Sequence, residues 1–169
     1  MRRLVARVVA LADRCTRLVR TRLTTLRVRL SASASGPNLL VGYPCLVVTP
    51  GQLTLGRNVF IGPNSNISAV GGLVIEDDVL IGPGLTISGG NHRRTADRRF
   101  ATARSEDNPP LRIGEGAWIG ANVTILAGAS IGRYSVIGAG SVVTRPIPEA
   151  VIAVGVPCRP IGPIPSTSP

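Results

Sequence analysis

The chain has no lysine and only one histidine, one tryptophan, two tyrosines, two phenylalanines and three cysteines among its 169 residues. So few aromatics leave Ile, Val, Leu and Ala to fill the interior, which suits a narrow axis better than a sandwich. Cys15, Cys45 and Cys158 are odd in number and follow no disulfide or metal-ligand spacing. Free thiols in a reducing compartment are therefore expected, and with them a cytoplasmic location. A single histidine cannot build a three-histidine zinc site, and no metal is expected. No apolar run reaches the roughly 18 to 20 residues that span a bilayer. The basic start resembles that of a signal peptide, but Arg7 and Asp13 interrupt the apolar region and no cleavage site follows.

What charge there is lies mostly at one end. The formal net charge is +10, yet residues 1–30 hold nine arginines against Asp13, so the remaining 139 residues are nearly neutral. The absence of lysine reads as coding bias rather than as selection of arginine at each site. Leu4, Val8, Leu11, Cys15, Val19, Leu23 and Leu26 recur at helical spacing, which predicts a basic amphipathic helix over 1–30. Val5, Val9 and Leu18 broaden its apolar face and favour packing against the body or a sister subunit. The sharper alternative is peripheral contact with the inner face of a membrane. Nucleic acid is not expected as a partner, because no aromatics interleave the arginines and no binding module follows.

The remainder is organised by a repeat. Ile113, Ile119, Ile125, Ile131, Ile137 and Val143 return every sixth position, and Gly114, Gly120, Gly132 and Gly138 follow their aliphatics directly. A six-residue period fits neither a helix nor an amphipathic strand; it is the spacing of hexapeptide β-helix repeats, whose stability comes from stacking coil on coil. The same hexads begin at Leu55, Ile61 and Ile67 and resume at Ile75, Ile81 and Ile87, so three hexads make one triangular coil with a period of about 18 residues. Residues 31–52 read as a linker (SASASGP) followed by an irregular capping coil, and 53–169 as the β-helix domain. Pro146 and Pro148 end the regular coils, and the proline-rich tail from Pro157 is expected to lie over the outside. Between the second and third regular coils runs a polar stretch, Gly89 to Pro110, without obvious secondary structure. A loop of that length in a compact repeat is functional or disordered, and the chain's only histidine, His92, sits at its exit from the coil.

Four blocks carry a resemblance: LGRNVFIGPNSNI at 55–67, VLIGPGLTISGGNH at 79–92, PLRIGEGAWIGANVTILAGASIG at 110–132 and SVIGAGSVVTRPIPEAVIAVGVPCRPI at 135–161. The chain resembles the hexapeptide-repeat acyltransferases, nearest the galactoside and maltose O-acetyltransferase branch. The resemblance implies an all-β fold, a left-handed parallel β-helix, assembled as a homotrimer with acetyl-CoA as donor. By the same match His92 falls on the catalytic base, where imidazole takes the proton of an attacking hydroxyl. Trp118, Ala121, Ala139 and Thr144 fall on the coenzyme groove, and Arg145 and Arg159 on positions facing its phosphates, which arginine holds by paired hydrogen bonds.

The acceptor side departs from the pattern. The asparagine that contacts sugar in the galactoside enzymes falls on Gly62, and an aromatic and an acidic contact fall on Phe60 and, roughly, Val70. Asn64 and Asn66 lie close by as replacements, although asparagines at β-helix turns are commonly structural. Arg93, Arg94, Arg98, Arg99 and Arg104 offer a grip on an anionic acceptor or simply solvate the loop, and Glu106 and Asp107 stand as candidates for orienting His92. The expected function is O-acetylation of a small-molecule or lipid-linked sugar. The alternatives are N-acetylation of an amino sugar or antibiotic on the same fold, and a non-catalytic trimeric scaffold. A γ-type carbonic anhydrase is set aside for want of histidines.

Overall fold

The computed structural model describes residues 2–102 and 110–165, with side chains over 10–101 and 110–165. Arg104, Glu106 and Asp107 lie outside the described residues. One helix, α1 (Arg2–Ser31), leads into a parallel β-helix whose three flat faces each take one short strand per coil.

The first coil holds β1 (Ala34–Ser35), β2 (Leu40–Val41) and β3 (Cys45–Val48); the second holds β4 (Leu53–Leu55), β5 (Phe60–Ile61) and β6 (Ser65–Ser68). The third holds β7 (Leu73–Ile75), β8 (Leu80–Ile81) and β9 (Thr86–Ser88), and a hairpin of β10 (His92–Arg94) and β11 (Phe100–Thr102) follows. The fourth holds β12 (Leu111–Ile113), β13 (Trp118–Ile119) and β14 (Thr124–Leu126). In the fifth, β15 (Val136–Ile137) and β16 (Val142–Val143) follow an isolated bridge from Ile131 to Ile113. A final half-turn adds β17 (Val151–Val154), and β18 (Arg159–Pro163) folds back antiparallel to it.

The first face is β1-β4-β7-β12, the second runs from β2 through β5, β8, β13 and β15 to β17 and β18, and the third is β3-β6-β9-β14-β16. The hexad aliphatics register directly: on the second face Val41 pairs with Ile61, Ile61 with Ile81, Ile81 with Ile119, and Ile119 with Ile137. All five are buried, and each aliphatic so removed from water contributes about 1.5–3 kcal/mol. The small residues of the repeat sit at the corners for a reason of space. A Cβ on Gly120 would stand 2.6 Å from the Ala139 backbone nitrogen, and one on Gly62 would stand 2.6 Å from the Gly82 carbonyl carbon.

Three expectations change. The first coil carries a strand on each face, and the SASASGP stretch is not wholly a linker: Ala34 and Ser35 pair with Thr54 and Leu55, and the Ser33 hydroxyl donates to the Leu53 carbonyl at 2.7 Å. The coil period is not uniformly 18, because Ile61 pairs with Ile81, twenty residues on, whereas Ile119 pairs with Ile137. The extra pair sits at the corner between third and first faces, where Gly71 and Gly72 take φ of 83° and 98°. The stretch after Gly89 is not structureless either. Its hairpin is closed by a turn in which the Arg98 amide donates to the Thr95 carbonyl at 3.0 Å and the Thr95 amide to the Arg99 carbonyl at 2.9 Å.

Two polar straps tie the coils along the axis. Glu76 of the third coil pairs with Arg112 of the fourth and with Arg133 of the fifth at 3.5 Å, while accepting the Glu115 amide at 2.8 Å. Asn38, Asn58 and Asp78 stack at one corner in left-handed conformation, with Asn38 donating to Asn58 at 2.8 Å and Asn58 to Asp78 at 2.6 Å.

Candidate active site

His92 reaches its place through a close backbone approach. Gly89 is buried, and a Cβ there would meet the Ser68 carbonyl at 2.4 Å, so only glycine lets the chain turn outward after β9. The hairpin then lifts His92 into solvent, paired in register with Thr102. On this corner, between third and first faces, the next coil makes a tight turn in which the Ala129 amide donates to the Leu126 carbonyl. The coil after that carries Thr144 and Arg145, both exposed. Two strand spacings separate the His92 coil from the Thr144 coil, about 10 Å along the axis.

Trp118, Ala121 and Ala139 stand elsewhere. Trp118 points outward from β13 on the second face, 57% exposed. Ala121 and Ala139 occupy the corner between second and third faces on consecutive coils, beside Gly140, whose missing Cβ would meet nothing within 4 Å. Ala139 is exposed there and Ala121 half-buried. From Ala139 to Thr144 the chain crosses one flat face, about 16 Å of extended backbone. Within one chain, then, His92 stands on a different edge of the prism from Ala121 and Ala139.

The GVPCR segment closes the top of the third face. The Val142 amide donates to the Gly155 carbonyl at 3.1 Å and the Cys158 amide to the Val142 carbonyl at 2.8 Å, so the free edge of β16 is covered. Cys158 is fully buried; burial pushes its thiol up, against the opposing pull of the Ser141 hydroxyl and Arg159. Arg159 follows, half-buried, its guanidinium donating to the Cys158 carbonyl at 2.7 Å.

The acceptor candidates scatter. Asn64 is exposed at a corner with φ of 59°, the turn position that Gly84 and Asn122 fill in the next coils. Asn66 faces outward from β6 in register with Thr86, while Phe60 lies on the second face in register with Leu40 and Leu80. Gly62 is a packing glycine: a Cβ there would stand 2.6 Å from the Gly82 carbonyl carbon and from the Pro83 nitrogen. In the hairpin, Arg99 pairs with Asp97 at 3.2 Å. The Thr95 hydroxyl donates to Asp97 and holds that carboxyl below its usual range.

Sequence reasoning missed the row in which Trp118 stands. Leu40, Phe60, Leu80, Trp118, Val136 and Ile152 register side by side on the outer surface of the second face. Leu40, Leu80 and Trp118 are 45%, 53% and 57% exposed. The signal was present: on this face alone, the residue before the buried aliphatic is apolar in every coil. Among the described residues no group of three or more His, Cys, Asp or Glu could hold a metal ion.

Residues 52–88 match the hexapeptide repeat of succinyl-transferase, and residues 110–145 the bacterial transferase hexapeptide of six repeats. A solved galactoside acetyltransferase in complex with coenzyme A superposes with a TM-score of 0.73 at 35% identity, covering 82% of this chain and 68% of that one. The chain belongs to the hexapeptide-repeat acetyltransferases. Within this family it is 38% identical over 124 residues to galactoside O-acetyltransferase of Escherichia coli, and 37% identical over 123 residues to that of Lactococcus lactis. Each match takes in 73% of this chain, and the chain spans about half the length of these curated relatives.

Proposed function

We propose that the protein transfers an acetyl group from acetyl-CoA to a hydroxyl of a sugar or glycoconjugate, at a site completed by a second copy of the chain. The observation that carries this reading is the lone His92, raised on a hairpin at the exit of the third coil in a chain of acetyltransferase fold. A hydroxyl is a poor nucleophile, so a base has to take its proton as the new bond forms, which contributes about 10²- to 10⁴-fold in rate. His92 accepts that proton while the hydroxyl oxygen bonds to the acetyl carbon; the carbon–sulfur bond breaks, and the proton passes to the departing thiolate. Ala121, Ala139 and Thr144 bed the pantetheine arm, and Arg145 and Arg159 face its phosphates.

A second copy is invoked because one chain keeps His92 on a different edge from Ala121 and Ala139, and sets Thr144 and Arg145 two coils away from it on its own edge. A reacting pair has to meet within about 3–3.5 Å. The exposed apolar row through Leu40, Leu80 and Trp118 supplies a surface for such contact, and closed symmetry would repeat it three times in a homotrimer. The three free thiols favour a cytoplasmic setting.

The test is thiol release from acetyl-CoA against a panel of sugars, nucleotide sugars and amino sugars, for wild type, His92→Ala and Ala139→Trp. Turnover with a hydroxyl acceptor, lost in each variant and partly restored when the two are mixed and reassembled, is the expected outcome. Failure to bind or turn over acetyl-CoA with any acceptor would refute acetyl transfer. Full activity of His92→Ala would remove the histidine from the mechanism, and absence of rescue on mixing would refute the shared site.

A further inference from the structure

Helix α1 is 30 residues long, about 45 Å, and only its end is used by the fold. Thr21, Thr24, Thr25 and Val28 recur at i, i+3, i+4 and i+7 and form the face against the first coil. Val28 is buried there, and the Val41 amide donates to the Thr25 hydroxyl at 2.9 Å. Arg20 stacks over the Tyr43 ring, 5.2 Å from its centroid, and Arg29 donates to the Gly36 carbonyl. Every described side chain from Ala10 to Arg20 is exposed.

On a different side of the same helix Leu11, Cys15, Leu18, Val19, Leu23, Leu26 and Leu30 form one continuous stripe. Its five leucines and its valine are each more than half exposed. The β-helix does not cover them; packing of α1 against the body is confined to the threonine and Val28 side. Arg14 and Arg27 flank the stripe, Arg22 lies within it between Leu18 and Leu26, and Arg17 stands on the opposite side; all four are exposed.

Charge decides what covers it. Residues 1–30 carry nine arginines and one acid. Packing the stripes of several copies together would crowd this charge with Asp13 alone in each helix to offset it, and like charges repel. An anionic surface reverses the sign of that effect: it takes the leucines into its acyl boundary and the guanidinium groups among its phosphates. Among the described residues no helix is long and apolar enough to cross a membrane, so the contact lies in the plane of the surface. We propose that α1 is an interfacial helix that docks the enzyme on a bilayer containing anionic phospholipid, through the stripe Leu11–Leu30.

The experiment is co-sedimentation of the full chain with vesicles of phosphatidylcholine alone and of equal parts phosphatidylcholine and phosphatidylglycerol. Wild type should bind the mixed vesicles and leave the neutral ones in suspension. Binding should weaken at about 1 M salt, where the screening length falls to about 3 Å. Leu18→Glu/Leu23→Glu, exposed positions outside the fold's core, should cut the bound fraction by roughly tenfold or more. Arg14→Gln/Arg17→Gln/Arg22→Gln should cut it several-fold without altering the apolar stripe. Absence of binding to the mixed vesicles, equal binding to both kinds, or unchanged binding by both variants would overturn the proposal. So would a wild type that ignores vesicles while the leucine variant changes oligomeric mass, since the stripe would then be covered by another copy.

Discussion

Replacing Gly120 by alanine tests the stacking that builds the core. A Cβ at this position would lie 2.6 Å from the Ala139 nitrogen, 2.9 Å from its Cα and 2.9 Å from the Ile137 carbonyl oxygen. All three are main-chain atoms of the next coil, held by the Gly120 amide's 2.8 Å hydrogen bond to that same Ile137 carbonyl. No side chain can swing away, so the two coils have to part by several tenths of an ångström at least. Overpacking costs about 1–3 kcal/mol, and a rigid neighbour places Gly120→Ala near the upper end. Gly140→Ala separates space from conformation: nothing lies within 4 Å, but φ is 71°, so about 1 kcal/mol of left-handed strain is expected. Gly162→Ala has neither clash nor positive φ and should stay within about 0.5 kcal/mol of wild type. Urea midpoints of the three variants, followed by circular dichroism, should fall in that order. Because Gly120 adjoins Ala121 and abuts Ala139, Gly120→Ala should also raise KM for acetyl-CoA. A Gly120→Ala protein as stable as Gly162→Ala would refute the reasoning that main-chain contact sets the coil spacing.

Glu76→Gln removes the charge that pairs Arg112 and Arg133 across three coils while keeping an acceptor for the Glu115 amide. The partners are largely exposed, so a loss of about 1 kcal/mol in thermal or urea unfolding is expected; a gain in stability would count against the strap. Burial in the cleft beneath α1 pushes the Cys45 thiol up to about 11, so iodoacetamide at mildly alkaline pH should label exposed Cys15 first and Cys45 far more slowly. Equal labelling rates in the folded protein would contradict that burial. The unfolded thiol ionises near pH 9. Since the folded value is the higher one, the stability linked to Cys45 is present below pH 9 and is lost as pH rises toward 11; Cys45→Ser should flatten that part of the pH profile. Arg159→Gln should raise KM for acetyl-CoA severalfold while leaving kcat nearly unchanged, as loss of a remote binding contact does; a fall in kcat alone would place Arg159 nearer the reacting atoms.

The hexads were legible because a buried aliphatic every sixth residue leaves a strong periodic trace, and each expected core position from Ile61 to Val143 lies on the axis. The first coil was harder to read because Ser35 fills the first-face position that an aliphatic takes in later coils, and two extra residues lengthen its corner. With Thr95 and Thr102 its only β-branched residues and no Asn-Gly or Asp-Gly in the turn, the hairpin His92–Thr102 looked like loop; its closure depends on Thr95, Asp97 and Arg99 bonding across a short turn. Strand β18 contains Pro160 and Pro163, which argue against strand in isolation, yet an edge strand tolerates them because one side needs no donors. The candidate site was legible as residue types and not as geometry. Nothing in the spacing of His92, Trp118 and Ala139 shows that the first and last stand on different edges of a prism and Trp118 on a flat face, since that depends on which corner each turn occupies.

The hairpin leaves the stack undisturbed: Ser88 before it registers with Leu126, and Leu111 after it registers with Leu73 and takes the Gly72 carbonyl at 3.0 Å. Its ends are thus pinned by the coils, and doubling the length between them adds only about 0.6 kcal/mol of closure entropy. The insertion is therefore an exchangeable cassette. Segments grafted between Arg94 and Pro110, beyond His92, can be exchanged while the core keeps its register, which makes this corner the natural place to vary the chain.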